Sequence, residues 1–206
     1  MHYLDRVVAD SSDREAWLNA RASRIGASDA ARFARPDSVE TYVRQKLTPS
    51  NDRGNGYTDN GHRWEPQLLA FIGVPGNSLF FHHPDEFGFG ATPDGVLERP
   101  DGSLVLAEIK TKHERIVAGP TPAEFRQLVW QLFVLPEATE LRWCWGELIK
   151  VPTDEGFRWE LRRDSPKALT FYRDDPKIVA AQAQIVPIAT RVLAAVRAVR
   201  GEEENR

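Results

Sequence analysis

The tripeptide Pro100-Asp101-Gly102 lies between two apolar runs, Gly95 to Leu97 and Leu104 to Ala107, and restricts the fold more than any other short stretch. Proline presets φ, aspartate hydrogen-bonds locally and glycine supplies a positive φ, so the segment reads as a hairpin turn. Pairing Arg99 with Ser103 across a three-residue loop carries Asp94 opposite Glu108, with Cβ atoms about 4.5–5.5 Å apart. A strand's period of two then puts Leu104, Leu106, Glu108 and Lys110 on one face and Val105, Ala107, Ile109 and Thr111 on the other. Like charges directly opposite repel, so the arrangement asks for a cation between them. One extra residue in the turn would shift the register and send Glu108 to the wrong face.

The chain has 206 residues, 41% hydrophobic and 28% charged. That is enough for one domain that buries about 70% of its unfolded surface without staples. We expect a single domain over 1–200 and a disordered tail over 201–206. One cysteine, Cys144, excludes an intrachain disulfide framework and any multi-cysteine zinc or iron-sulfur site. It reads as an inert core residue. The N-terminal residues lack the pattern of a signal peptide, and no stretch approaches eighteen uninterrupted apolar residues, so a soluble, cytoplasmic protein with no membrane partner is expected. A formal charge of −3 leaves no global basic footprint, so contact with nucleic acid requires a local concentration of Arg and Lys.

Ser12 and Glu15 read as a capping box for a first helix through Trp17, Leu18 and Ala22. Gly26 breaks the pattern, and Ser28 reads as the N-cap of a second helix through Phe33. Arg21, Arg24 and Ser28 thus cluster near a helix start, either as an anion grip or as a cap with solvated arginines. A third helix, Ser38 to Leu47, leads into an exposed polar loop over 48–61. Glu65 shares a helical face with Leu68, Leu69 and Ile72, and Pro66 fits a first turn, so this helix is expected to begin near Trp64. A carboxylate on an apolar stripe needs a partner, whether a cap, Arg63 or a shared site.

Thr121, Pro122 and Glu124 form a strong helix start, and the apolar run to Leu135 marks a buried helix carrying Gln127 and Gln131. Buried amides need partners, in the backbone or in a polar site. Leu141, Trp143 and Trp145 alternate as in a strand, as do Phe157, Trp159 and Leu161, and the two make a second hairpin whose tryptophans are read as packing. Asp175-Pro176 opens a long C-terminal helix with Ile178, Val179, Ile188, Val192, Leu193 and Val196 on its apolar side.

Nucleophile motifs built on serine or cysteine are absent, and the adjacent His82 and His83 point to opposite faces of an extended segment, unlike a zinc pair. An oxygen-only site remains: Asp94, Glu108, Glu65 and a strand carbonyl. Hard oxygen donors suit Mg²⁺, with Mn²⁺ as a substitute. Lys110, two residues beyond Glu108, falls on the same face, where its ammonium can position water and stabilise charge on phosphate. Metal-assisted phosphodiester hydrolysis is the reaction class implied.

The order of RASRIGAS, GHRWE, PDGV, EIK and the glutamine-bearing helix resembles the phage-type (lambda-exonuclease-like, YqaJ-like) alkaline exonuclease family of PD-(D/E)xK nucleases, over about Arg21 to Phe133. The resemblance implies an α/β fold with a restriction-endonuclease-like core, a mixed β-sheet flanked by helices. It implies that Asp94, Glu108 and the Ile109 backbone carbonyl bind the metal, Lys110 orients the attacking water, Glu65 completes the acidic site and Gln127 supports it. Arg21 and Ser28, with Arg24 as a weaker candidate, would hold a 5′-phosphate. It further implies 5′ to 3′ digestion of double-stranded DNA ends that leaves a 3′ overhang, in phage recombination, for a single-strand annealing recombinase. The family includes ring-shaped trimers, so a homo-oligomer is a further expectation. Alternatives are a structure-specific or nicking endonuclease of the same fold, and a non-catalytic nuclease-derived DNA-binding module.

Overall fold

The computed structural model describes residues 2–48 and 56–201. The expected loop lies partly outside these residues, at 49–55, as does the expected tail beyond Gly201. After a short 3-10 turn the chain forms β1 (Val7–Asp10), α1 (Arg14–Ala22), α2 (Ala27–Ala30), α3 (Val39–Leu47) and α4 (Gly56–Ile72). Next come β2 (Leu79–His82), β3 (Gly90–Ala91), β4 (Gly95–Glu98), β5 (Leu104–His113) and α5 (Pro122–Val134). The chain ends with β6 (Ala138–Thr153), β7 (Gly156–Leu161), β8 (Lys167–Tyr172) and α6 (Pro176–Arg200).

The main sheet has the order β4-β5-β6-β7, with β8 also pairing β6. Only β5 and β6 run parallel, joined by the α5 crossover that a parallel pair requires. The hairpin register is the expected one: Gly95 pairs with Ala107 and Glu98 with Leu104. Arg99 N–H donates to the Ser103 carbonyl at 2.8 Å, which closes the three-residue loop. Gly102 supplies the left-handed residue, φ 80°, and Asp101 accepts from the Ser103 amide at 2.9 Å, so the turn chemistry holds the strands in phase.

Alternation divides the core in two. Leu104 and Leu106 join Trp143, Trp145, Leu128 and Trp130 in a large cluster beneath α5 and α6. Val105, Ala107 and Ile109 face the other way, against Leu68, Leu69, Ile72 and Cys144. Helices therefore cover both faces of a mixed sheet, as expected. Burial pushes the Cys144 thiol up to about 12, consistent with an inert core residue. By length and composition α6 is apolar enough to cross a membrane, but Ile178, Ile188, Val192, Leu193 and Val196 are buried in the core.

Several boundaries differ from expectation. Asp13, not Ser12, caps α1, accepting from the Ala16 amide at 3.0 Å. Gly26 occupies the N-cap of α2, and Ser28 lies inside that short helix. α4 begins at Gly56 and runs through Pro66; a proline removes one backbone donor there, and the packing of Leu68, Leu69 and Ile72 outweighs that loss. Val179 is exposed, because it lies about 100° around α6 from Ile178. Neither the small β1-β2-β3 sheet nor β8 was expected.

Candidate active site

β4 starts one residue after Asp94, so the last rungs of β5 extend beyond their neighbour on that side. The Asp94 amide donates to the Ala107 carbonyl at 3.0 Å, and Asp94 Oδ2 accepts from the Ile109 amide at 2.6 Å. A side-chain carboxylate thus takes the place a strand carbonyl would hold. In an extended strand the N–H and C=O of one residue point to the same side, so the Ile109 carbonyl also faces Asp94.

Glu108 is 1% exposed and projects to the α5 side of the sheet. Lys110 Nζ donates to its Oε1, and Gln131 Nε2 donates to its Oε2 at 2.5 Å. Burial holds the Asp94 carboxyl well above its ordinary value, and the Glu108 charge adds to this, with a further contribution from Glu65. Burial alone would lower the Lys110 ammonium, but the charges of Glu108 and Asp94 outweigh it and hold the group above the usual lysine range.

Gly95 and Asn77 position this cluster. A Cβ on Gly95 would lie 2.8 Å from the Pro75 carbonyl oxygen and 2.9 Å from Leu69, so glycine lets the end of α4 and the following loop close on β4. Asn77 then donates its amide to the Asp94 carbonyl at 2.9 Å and its Nδ2 to the Pro93 carbonyl at 2.8 Å. Glu65, half-buried on α4, is brought within electrostatic reach of Asp94 by this packing. Sequence reasoning missed Asn77; its only local signal is a turn-forming Gly76-Asn77 pair just after a helix.

The structure brings Asp94, Glu108 and Lys110 together, leaves Glu65 within electrostatic reach of Asp94, and sets Gln131 rather than Gln127 against Glu108. Gln131, fully buried, contacts Glu108, whereas Gln127 lies a turn earlier and is only half-buried. Arg21 and Ser28 do meet: Nη2 donates to Ser28 Oγ at 2.6 Å, and the guanidinium lies 4.3 Å from the centre of the Trp17 ring. Trp17 Nε1 in turn donates to Thr92 Oγ1 at 3.3 Å, tying this pair to the chain that leads into Asp94. Arg24 departs from the expected anion grip. It is buried, and its guanidinium donates to the Phe87 and Ala20 carbonyls at 3.0 and 2.8 Å.

Comparison with solved structures identifies the architecture. An alkaline exonuclease, LHK-Exo, from Laribacter hongkongensis superposes with a TM-score of 0.61 at 20% identity, over 91% of this chain and 97% of that one. The fold is that of the restriction-endonuclease-like nucleases. A SOX–DNA complex matches with a TM-score of 0.57 at 10% identity, over 93% of this chain and 70% of that one. A phage-related exonuclease from Haemophilus somnus 129PT matches at 0.50 and 13% identity, over 80% of this chain and 83% of that one. No protein-family model matches the sequence. No curated protein matches it either.

Among the described residues, no group of three or more His, Cys, Asp or Glu side chains is placed to hold a metal ion. What the cluster offers instead is a buried carboxylate, Glu108, repelling the half-buried Asp94, with an inward carbonyl and a third carboxylate at the margin. Mg²⁺ retains several waters and is commonly bound by one or two carboxylates, so the donor set fits a hard divalent cation. Gln131 Oε1 is buried without a hydrogen-bond partner, which leaves an acceptor for a water beside Glu108.

Proposed function

We propose that the protein is a Mg²⁺-dependent deoxyribonuclease, an exonuclease that digests double-stranded DNA from 5′ ends and leaves a 3′ single-strand overhang, with Mn²⁺ as a substitute metal. The carrying observation is the placement of Glu108: one oxygen bonded to Lys110, the other to Gln131, and Asp94 at the adjoining strand end. Asp94, Glu108 and the Ile109 carbonyl would hold the ion, and Glu65 would complete the acidic rim. When bound, such an ion lowers the pKa of water and offsets charge on phosphoryl oxygens.

The remaining chemistry belongs to the chain's own residues. Gln131 fixes the rotation of the Glu108 carboxylate, so that it presents one oxygen to Lys110. The ammonium of Lys110, permanently charged, orients the attacking water and stabilises the negative charge that develops on the scissile phosphate. Arg21 and Ser28 together supply guanidinium and hydroxyl donors for a terminal 5′-phosphate, which would set the strand polarity. An exonuclease fold in the alkaline exonuclease from Laribacter hongkongensis supports this reading, as does the spacing of the motifs.

Incubation with Mg²⁺ and 5′-phosphorylated linear duplex should release mononucleotides while a closed circle survives. Equal digestion of both would overturn the exonuclease reading in favour of an endonuclease. No hydrolysis with either Mg²⁺ or Mn²⁺ would leave a DNA-binding module.

A further inference from the structure

Two buried polar atoms flank Glu108 on the α5 side of the sheet. Gln131 Oε1, an acceptor, and Trp143 Nε1, a donor, are both without a hydrogen-bond partner, and both side chains are fully buried. Trp143 is the β6 residue in register with Glu108, on a strand about 4.8 Å away. In-register neighbours project to the same face, so the indole and the Glu108 carboxylate both point towards α5, from which Gln131 reaches Glu108. The indole is itself held in place. Its ring stacks on Trp145 with centroids 4.5 Å apart, and the Lys112 ammonium lies 5.7 Å from its centre.

We infer that Trp143 is a positioning residue for Glu108, acting through Gln131 by way of one buried water that accepts from the indole N–H and donates to the Gln131 side-chain oxygen. This rests on the nuclease reading above and deepens it, because it extends the support of Glu108 from α5 to β6. A buried donor and a buried acceptor left unpaired in one layer each destabilise the fold, and a single water satisfies both. Packing between the sheet and α5 calls for a ring at position 143, not for its N–H.

The direction of this chain is set at its two ends. The indole only donates and the Glu108 carboxylate only accepts, so the water passes a hydrogen to the Gln131 oxygen while the amide NH2 stays on Glu108. Turning the amide over would set its oxygen against a carboxylate oxygen. The water holds the far end of the amide, which fixes its plane and, through it, the rotation of the carboxylate that also accepts from Lys110. A tryptophan that merely packs would exert no such hold.

Water-selective NOESY and ROESY spectra of the metal-free protein carrying isotope-labelled tryptophan test this without cleavage. The Trp143 indole proton, assigned by its loss in Trp143→Phe, should show a cross-peak to water with the sign of dipolar contact rather than of exchange. Gln131→Met, which removes the acceptor, should abolish that cross-peak. In Mg²⁺-dependent digestion, Trp143→Phe should lower kcat roughly fivefold with KM unchanged. In a Gln131→Met background the same substitution should add little. Absence of a dipolar cross-peak in the wild type, or one that survives Gln131→Met, would overturn the inference. So would a Trp143→Phe protein that loses melting temperature with kcat intact, or an effect on kcat that is additive with Gln131→Met. Should Trp143→Phe fail to fold, the loss of an indole-to-water cross-peak in Gln131→Met carries the same test. Absence of Mg²⁺-dependent hydrolysis would overturn the nuclease reading and leave the cross-peak readable, so the two failures are distinct.

Discussion

Gln131 Nε2 donates to Glu108 Oε2 at 2.5 Å, bridging the buried face of α5 and the α5-facing side of β5. The bond is a fixed one, because both residues are almost completely buried. A hydrogen bond to a charged group is worth about 1.5–3 kcal/mol. Gln131→Met keeps the volume and removes the donor, so the Mg²⁺-dependent rate should fall about ten- to hundredfold, and the melting temperature should fall by roughly 3–12 °C. Gln127→Ala should leave the rate near wild type. Single-turnover digestion of a labelled duplex checks both.

The hairpin was legible because its determinants are local: turn chemistry at Pro100 to Gly102 and strict alternation through Leu104 to Lys110. The choice between Gln127 and Gln131 was not, because both lie on one apolar helix a turn apart and only the docking of α5 decides which reaches β5. The burial of Arg24 was hidden for a related reason. Spacing shows an arginine near a helix start, but not that the Phe87 and Ala20 carbonyls already satisfy it. Asn77 was invisible, since its targets are the carbonyls of Pro93 and Asp94, distant in sequence and unspecific in type.

Inserting one glycine after Asp101 tests the register directly. β5 is fixed by its long parallel ladder with β6, so β4 must shift instead and carry Asp94 away from Glu108. Hydrolysis should be lost while the circular dichroism spectrum is retained. The same insertion at Asp154-Glu155, in the β6–β7 turn, should leave hydrolysis intact, because no proposed site residue depends on that turn.

Glu147 predicts an acid limit to stability. Burial would raise its carboxyl, but the Val117 amide, the Trp145 indole and Lys167 outweigh burial and hold it below the ordinary value. A depressed folded pKa means the stabilisation is fully present above the unfolded value of about 4.3 and is lost as pH falls through the folded one. Glu147→Gln should therefore cost about 1–3 kcal/mol at neutral pH and flatten the acid limb of a urea-midpoint profile. A profile parallel to wild type down to the acid transition would contradict this.

Arg6 is fully buried and donates to the Val134 carbonyl at 3.1 Å and to both Glu137 oxygens, at 2.6 and 2.5 Å. It also donates to the His82 carbonyl, so it locks the small sheet to the end of α5. Arg6→Ala should destabilise the protein by about 3–5 kcal/mol, because it strands a carboxylate and two carbonyls. Arg6→Lys should recover little, since an ammonium cannot reproduce the forked contact. Denaturant unfolding of the three proteins checks the order.

If Asp94 and Glu108 hold the proposed ion, they set stability against metal binding. The buried Glu108 and the half-buried Asp94 repel when no ion lies between them, and only part of that repulsion is offset by Lys110. Asp94→Asn removes one charge yet keeps an oxygen that can accept from the Ile109 amide, so the variant should be at least as stable as wild type in EDTA. Adding Mg²⁺ should raise the melting temperature of wild type, by an amount equivalent to about 2.7 kcal/mol at a hundredfold excess over Kd, and should leave Asp94→Asn unmoved. Differential scanning calorimetry with and without Mg²⁺ reads this without reference to activity. A variant less stable than wild type in EDTA would mean that the carboxylate pair serves the fold; equal Mg²⁺ shifts in both proteins would place the ion elsewhere. The expected pattern, a stable but inert variant, is what results when an unfavourable charge pair is kept for function rather than for the fold.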